Sequence, residues 1–400
     1  MPSSSHIIVG LDVGTKTTRV IVCEVNPSSR DPHVIGIGTA PTHGLHHGYI
    51  INRADAISSI RQALRDAMRD AGVVIKNVSV AMGGISLNAE SVTTTVTVEH
   101  HSGEVSESDI ARAIEACEDV LYTRTNNRRI LHTIPLRFHL DGDPVLGNPI
   151  GMKGKKFSAK VIFVTCLEHH FDEIVSVVRD AGVNVTDVIA APLATSYPAL
   201  SHNHKMAGSA LVDIGAETVS IIVFEDDKLI SLDIFPIGST DITNDIALGF
   251  QIPLDDAEQV KLGALPKDDP KKFSRSKLEE IIRARFADIF ELIDRHLCDI
   301  KRSNLLPAGI VITGGGALLE NFNIQEFAKS CLHLPIHIVT TTNIVSHSKK
   351  KLDSSWYTSY GLCCSIQHDA EVYYKGPSAF GNVGKQVKKT IGKLFKQLIP

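Results

Sequence analysis

Apolar positions along the chain follow two rhythms, a period of two that predicts strands and a spacing of three to four that predicts helices. The first stretch is strand-like: His6 to Asp12, Thr17 to Val25 and Val34 to Gly38 are consecutive candidates. Ala54 to Ala71 then places Ile57, Ile60, Leu64, Met68 and Ala71 on one helical face, with Gly72 as its stop. Val78 to Met82 predicts another strand, closed by Gly83 and Gly84. The texture changes after Ser86. Ser91 to Val98 alternates as a half-buried strand does, and Ser106 with Asp109 spells a capping box before Ile110, Ile114, Cys117 and Leu121. Ile130 to Leu140 and Lys160 to Leu167 predict further strands, Phe171 to Ala181 a helix, Val185 to Ile189 a strand, and Ala190 to Pro198 a helix crossing between two halves. In the second half Asp241 to Gly249 and Leu254 to Leu262 predict short helices, and Ser274 to about Ser303 a long charged one. Ala308 to Leu319 predicts a strand, a glycine turn and a helix start.

One pattern occurs twice. Ile7 to Thr17 contains Asp12, Gly14, Thr15, Lys16 and Thr17 before the apolar run Val20 to Val22; Ala210 to Thr218 contains Asp213, Gly215 and Thr218 before Ile221 to Phe224. Asp12 and Asp213, Gly14 and Gly215, and Thr17 and Thr218 share an offset of 201 positions. Each copy encodes a buried strand, an acid at its end, a glycine turn and a second strand. A glycine lets the backbone turn sharply and its N–H groups approach an anion. Asp12 and Asp213 suit Mg²⁺, which takes a few carboxylates and fills the rest of its shell with water and phosphate oxygens. D-x-G also occurs in ordinary turns, but two copies with matched flanks predict facing hairpins that clasp a nucleotide. Gly314, Gly315 and Gly316, at the strand-to-helix junction, suit an adenosine and its α-phosphate. Glu258 and Lys261, three apart on one helix face, either grip ribose hydroxyls or form a plain pair on a solvated face.

Composition narrows the class. Four hundred residues suit two lobes, and 43% apolar with 22% charged residues describes an ordinary folded chain. A net charge of −4 gives no reason to expect nucleic acid. The seven cysteines are scattered without a C-x-x-C, which fits buried thiols in a reducing cytosol. No signal peptide and no membrane-spanning run is expected. The histidine pairs at 46/47, 100/101 and 169/170 lack metal-ligand spacing and are assigned no function.

The ordered set of Asp12 hairpin, crossing helix, Asp213 hairpin, Glu258/Lys261 helix and Gly314 to Gly316 resembles the actin-like ATPase superfamily. Within it, Gly10 to Thr17, Val212 to Gly215, Ala257 to Gly263 and Gly309 to Leu319 resemble the FtsA family of bacterial division proteins. The resemblance implies an α/β, actin-like (ribonuclease H-like, duplicated) two-lobed ATPase fold with an inserted 1C subdomain. Its implied divisions are 1–85 and 161–203 for subdomain 1A, 86–160 for 1C, 204–244 for the first part of 2A, 245–307 for 2B, and 308–375 for the 2A return and a closing helix. Two departures stand out. Ala216, Glu217 and Ser220 replace a glycine- and threonine-rich stretch, and Ala191 stands where vigorous relatives place a glutamate or glutamine that orients water. ATP with Mg²⁺ is therefore expected to bind, with weak or negligible hydrolysis.

The C-terminus carries a second signal. After a linker at 376–382, residues 383–400 place Val383, Val387, Ile391, Leu394, Phe395, Leu398 and Ile399 on one helical face. Lys385, Lys388, Lys389, Lys393 and Lys396 flank it, and no acid follows Glu371. Such a segment is suited to lie in the interface of an anionic membrane. The resemblance implies a membrane-targeting helix, a peripheral location on the cytoplasmic side of the inner membrane at the septum, and the FtsZ C-terminal tail as partner. It also implies self-association into filaments, contacts with later division proteins through the 1C insert, and Arg285 and Asp288 as candidates for the FtsZ contact. A PilM-like pilus adaptor is the alternative, but lacks such a tail. An actin-fold small-molecule kinase is a further one, and would need a substrate-side aspartate that does not stand out near Ala190 to Ser201.

Overall fold

Asp12 and Asp213 end two strands that belong to two sheets built alike. A computed structural model of the chain describes residues 6–25, 31–264, 274–319, 322–339, 341–345, 351–368 and 374–375. The first lobe opens with β1 (His6–Val13), β2 (Thr17–Val25) and β3 (His33–Pro41), then the small pair β4 (Leu45–His46) and β5 (Tyr49–Ile50), helix α1 (Arg53–Ala71) and β6 (Asn77–Met82). Asn52 caps α1 through its side chain and Gly72 ends it in the left-handed conformation. The insert follows: β7 (Asn88–Thr97), α2 (Glu107–Arg124), β8 (Arg128–Leu140), β9 (Asp143–Val145) and β10 (Lys156–Leu167). The expected capping box of Ser106 and Asp109 starts α2. Helix α3 (Glu168–Asp180), strand β11 (Asn184–Ala190) and helix α4 (Ala191–Ala199) complete the half.

The second lobe contains α5 (His202–Ala207), β12 (Ser209–Ile214), β13 (Val219–Glu225), β14 (Lys228–Phe235), α6 (Ser239–Phe250), α7 (Leu254–Lys261), α8 (Arg275–Asp299), β15 (Ile310–Thr313), α9 (Ile324–Leu332) and β16 (Ile336–Ile338). The hairpin of β17 (Thr341–Val345) and β18 (Lys351–Asp353), helix α10 (Tyr357–His368) and β19 (Tyr374–Lys375) close the described chain.

The first sheet runs β11-β6-β1-β2-β3 and the second β16-β15-β12-β13-β14. In each, three antiparallel strands are followed by two parallel ones, the first pairing with the opening strand and the second with the strand just added. Even the hairpin register repeats: Val13 opposes Thr18 as Ile214 opposes Val219.

Period-two alternation decides which core each strand serves. Val212, Ile214, Ile221, Val223, Ile310 and Ile312 pack on the helices of the second lobe, whereas Leu211, Ile222, Phe224 and Val311 join the core of the first. The insert behaves likewise. Phe157, Ala159, Val161 and Phe163 face α2, while Ile162, Val164 and Cys166 on the same strand face the first lobe.

Helices α4 and α10 cross at one tight point. Pro198 has no N–H to offer the Ala194 carbonyl four residues back, and the backbone of Gly361 packs against that oxygen, where a Cβ would overlap it.

Candidate functional site

Strand register puts Asp12 at the end of β1 and Asp213 at the end of β12, and the cleft between the lobes brings them together. Burial pushes the Asp12 carboxyl up to about 6; the Arg19 guanidinium opposes this and the negative charge of Asp213 adds to it. Asp213 is likewise raised by burial, against a hydrogen bond from Thr313 Oγ1 (3.4 Å to Oδ1) and the charge of Arg19. Arg19 is the cross-strand neighbour of Asp12 in the β1–β2 ladder. Sequence reasoning passed over it, although counting back from the Gly14 turn pairs the two. Two half-shielded acids near one arginine form a site whose charge a divalent cation would complete.

The turns after these acids are near copies. A Cβ on Gly14 would stand 3.0 Å from the Thr17 carbonyl oxygen, and one on Gly215 2.8 Å from that of Thr218. Thr42 N–H donates to the Lys16 carbonyl at 3.0 Å, and Gly215 N–H to Thr218 at 2.9 Å. The second turn is braced by the start of α6: Ser239 N–H donates to the Gly215 carbonyl at 3.0 Å and Thr240 N–H to that of Ala216 at 2.7 Å. Thr15 and Thr17 line the first turn half-buried, with the Lys16 side chain exposed beside them.

Glu258 and Lys261 do not lie on a solvated face. Lys261 is 4% exposed; its ammonium donates to Thr243 Oγ1 at 2.7 Å and to the Ser239 carbonyl at 3.0 Å, and pairs with Glu258 Oε2 at 2.7 Å. Glu258 also accepts from Thr243 Oγ1 (2.6 Å) and pairs across the cleft with Lys16. Burial pushes the Glu258 carboxyl up, but hydrogen bonds from Lys16, Lys261 and Thr243 outweigh it and hold the group down at about 2. Thr243, unmarked in the sequence, therefore belongs to this cluster.

The glycine run departs from expectation in form and keeps its place. Gly315 to Ala317 makes a single 3₁₀ turn, and the next α-helix begins at Ile324. The helix-terminus dipole invoked for an α-phosphate is thus missing at this point, since three residues sum little dipole. Gly314 has φ +93°, and a Cβ on it would run into Asp213 and the Ile214 carbonyl. Gly316 packs equally close to Ile214 and Gly215. Lacking side chains, these residues place bare backbone directly beside the second hairpin.

Ala191 begins α4 with only a methyl group to offer, 3.9 Å from where a Cβ of Gly83 would be. The preceding Ala190 N–H donates to His132 Nε2 of the insert at 3.1 Å. Arg285 lies outside this cleft, on α8. Its guanidinium grips Asp245 of α6 in a two-pronged bond (Nε–Oδ2 2.8 Å, Nη2–Oδ1 3.0 Å), and this partner raises its pKa. Asp288 is exposed, 3.3 Å from Arg285 Nη1. The proposed membrane residues Val387, Ile391, Leu394, Phe395, Leu398, Ile399, Lys388, Lys389, Lys393 and Lys396 lie outside the described residues. Among the described residues no helix is long and apolar enough to cross a membrane, and no group of three or more His, Cys, Asp or Glu is gathered as a metal site.

A second link across the cleft was not legible. His47 N–H donates to Glu217 Oε2 at 2.6 Å, His47 Nδ1 lies 2.9 Å from the Glu217 carbonyl, and His46 Nδ1 stands 3.4 Å from Glu217 Oε2.

Comparison with known proteins places this geometry. The family model described as Cell division protein FtsA matches residues 210–361, and that for the SHS2 domain inserted in FtsA matches residues 84–165. The chain is 32% identical over 356 residues to the Cell division protein FtsA of Pseudomonas aeruginosa, covering 84% of this chain and 83% of that one. It is 30% identical over 391 residues to that of Borreliella burgdorferi, covering 93% of each. Among solved structures, a chain of the PilM-PilN type IV pilus biogenesis complex superposes with a TM-score of 0.66 at 17% identity, covering 90% of this chain and 98% of that one. MreB5 of Spiroplasma citri bound to ADP gives a TM-score of 0.50 at 14% identity, covering 91% and 98%. The fold is the actin-like ATPase fold with an SHS2 insert.

Proposed function

The chain belongs to the FtsA family of cell division proteins, and on that footing we propose that it is an ATP-binding scaffold tying FtsZ filaments to the cytoplasmic face of the inner membrane at the division septum. The observation that carries the nucleotide half is the meeting of two equivalent acid-and-glycine hairpins in one cleft, with Asp12 and Asp213 each sensing the charge of Arg19. The backbone of Gly14 and Thr15 and the Lys16 ammonium would hold the phosphates, with Gly215, its own N–H bonded to the Thr218 carbonyl, shaping the facing turn. Asp12 and Asp213 would hold Mg²⁺ through its water, the metal neutralising phosphate charge. Gly314 to Gly316 would offer bare backbone to the nucleoside, open space lying beside Gly315, and Glu258, fixed in place by the buried Lys261, would accept from a ribose hydroxyl. Ala191 cannot orient a water molecule, so hydrolysis is slow: single-turnover ATP cleavage faster than about one per second would reject this reading.

The membrane half rests on residues 383–400. Five lysines contribute on the order of 5 kcal/mol of attraction to anionic lipid before ordering costs, and Leu394, Phe395, Leu398 and Ile399 supply the buried anchor. On this reading the helical subdomain at 245–307 receives the FtsZ C-terminal tail near Arg285 and Asp288. The insert serves self-association and the recruitment of later division proteins. Co-sedimentation of full-length protein and a 1–382 truncation with vesicles containing phosphatidylglycerol tests the anchor: equal binding by both overturns it. Titration with a fluorescent ATP analogue and Mg²⁺ tests the cleft.

A further inference from the structure

We propose that the β4–β5 hairpin couples closure of the nucleotide cleft to the seating of the inserted subdomain, an inference that rests on the nucleotide reading above. The hairpin is held from both sides. On the cleft side, Glu217 lies in the β12–β13 turn two residues after Gly215 and moves with the second lobe. Its carboxylate takes the His47 N–H at 2.6 Å and faces His46 Nδ1 at 3.4 Å, and its carbonyl lies 2.9 Å from His47 Nδ1. His47 holds φ at 48°, a left-handed conformation costly for a non-glycine residue, so the surroundings must enforce it.

On the insert side, the same hairpin grips both chain crossings at the base of the SHS2 unit. Ile85 N–H, at the entry, donates to the His47 carbonyl at 3.4 Å. His170, at the exit, reaches the Gly48 carbonyl through Nε2 at 2.9 Å and Ser86 Oγ through Nδ1 at 2.7 Å, and stacks on Tyr49 with centroids 4.4 Å apart. Burial holds His170 below the usual imidazole range, and a neutral ring donates from Nε2 to the carbonyl while Nδ1 accepts from the hydroxyl. Gly48 and Gly84 pack backbone to backbone, with φ of 87° and 86°. From Ser86 the contact passes into the insert's strands: Arg128 Nη2 donates to the Ser86 carbonyl at 2.5 Å, and Arg128 Nε to Thr165 Oγ1 at 2.8 Å.

A nucleotide that draws the second hairpin toward the first moves Glu217. The hairpin bound to it must follow, and the two crossings bound to the hairpin are reseated. Coupling of binding free energies is reciprocal, so a partner that reseats the insert alters nucleotide affinity by the same factor.

Hydrogen exchange of the full chain, with and without ATPγS and Mg²⁺, tests this in wild type, Glu217→Ala and Ser86→Ala, with nucleotide affinity measured in parallel. In wild type, nucleotide is expected to slow exchange at least three-fold in peptides covering residues 83–88 and 165–171. Both variants, folded by circular dichroism, are expected to lose that response while the cleft peptides around Gly14 keep theirs. A wild type that binds no nucleotide overturns the functional reading and this inference with it. A wild type that binds but shows no change at the two crossings overturns the coupling alone. So does a nucleotide-binding Glu217→Ala protein with the full wild-type response; should that variant lose nucleotide, Ser86→Ala, remote from the phosphates, decides by the same criterion.

Discussion

Lys16, in the turn after the first strand, and Glu258, on a helix of the second lobe, form an ion pair across the cleft. The carboxylate is anchored by Lys261 and Thr243, whereas the Lys16 side chain is 55% exposed. An ion pair so open to water is worth little on its own, so a phosphate oxygen can draw Lys16 away at small cost. Charge-assisted hydrogen bonds contribute about 1.5–3 kcal/mol. Lys16→Ala is therefore expected to weaken ATP binding by roughly ten- to a hundred-fold, measured by equilibrium titration with a fluorescent analogue. An affinity within two-fold of wild type would remove Lys16 from the phosphate site.

Asp12 titrates in the direction opposite to a stabilising carboxylate. Its folded pKa of about 6 exceeds the unfolded value of about 4. Between these values the folded chain binds more protons, so the contribution is present below the unfolded pKa and is lost as pH rises through the folded one. Asp12→Asn, neutral throughout, is expected to raise the melting temperature more at pH 8 than at pH 4.5, by the equivalent of about 1–2 kcal/mol given its partial exposure. Equal shifts at both values in thermal scans would contradict the burial argument.

Gly361 inverts a familiar rule. Glycine to alanine inside a helix ordinarily gains about 1 kcal/mol, yet the methyl at this position would enter the Ala194 carbonyl. Gly361→Ala is expected to cost about 1–3 kcal/mol through displaced backbone, read as a lowered urea midpoint. An unchanged or raised midpoint would mean that α4 and α10 are not pressed together there.

Arg285 and Asp288 separate a structural role from a docking one. Arg285 ties α8 to α6 through Asp245, whereas Asp288 is exposed. Arg285→Ala is expected to lower stability by about 1–2 kcal/mol, while Asp288→Ala leaves it within about 0.5 kcal/mol. Loss of FtsZ-tail binding in both, measured by peptide pull-down, supports a shared docking surface. Loss in Arg285→Ala alone assigns the effect to the fold.

What could be read in advance depended on distance along the chain. The hairpins of Asp12 and Asp213 were legible because strand, acid and glycine lie within a dozen residues, and their repetition at one offset carried over to the register of both sheets. The Ser106–Asp109 capping box was legible for the same local reason, and the face of α1 in part: Ile60 and Leu64 are buried, but Ala56, Ala63 and Ala67 complete that face while Ile57 and Met68 sit at its margin. Strand β14 leaves no clean alternation to read: its apolar residues Leu229, Leu232 and Ile234 slip out of period two at a register shift beside Val223. After Gly316 the pattern predicts a helix start, whereas the chain makes one 3₁₀ turn there, with Gly314 and Gly316 packed close on Ile214. The pairing of His47 with Glu217, separated by 170 positions, leaves no trace in local pattern. The same holds for the burial of Lys261, which is decided by Ser239 and Thr243.

Where α4 and α10 meet, main chain touches main chain, because Pro198 frees one carbonyl and Gly361 offers nothing beyond its Cα. A junction made of backbone cannot relax by choosing another rotamer, so a larger residue at 361 is accommodated only by shifting a whole helix. Because α10 lies against β1, β2 and β6, such a shift is handed to the sheet whose first strand carries Asp12.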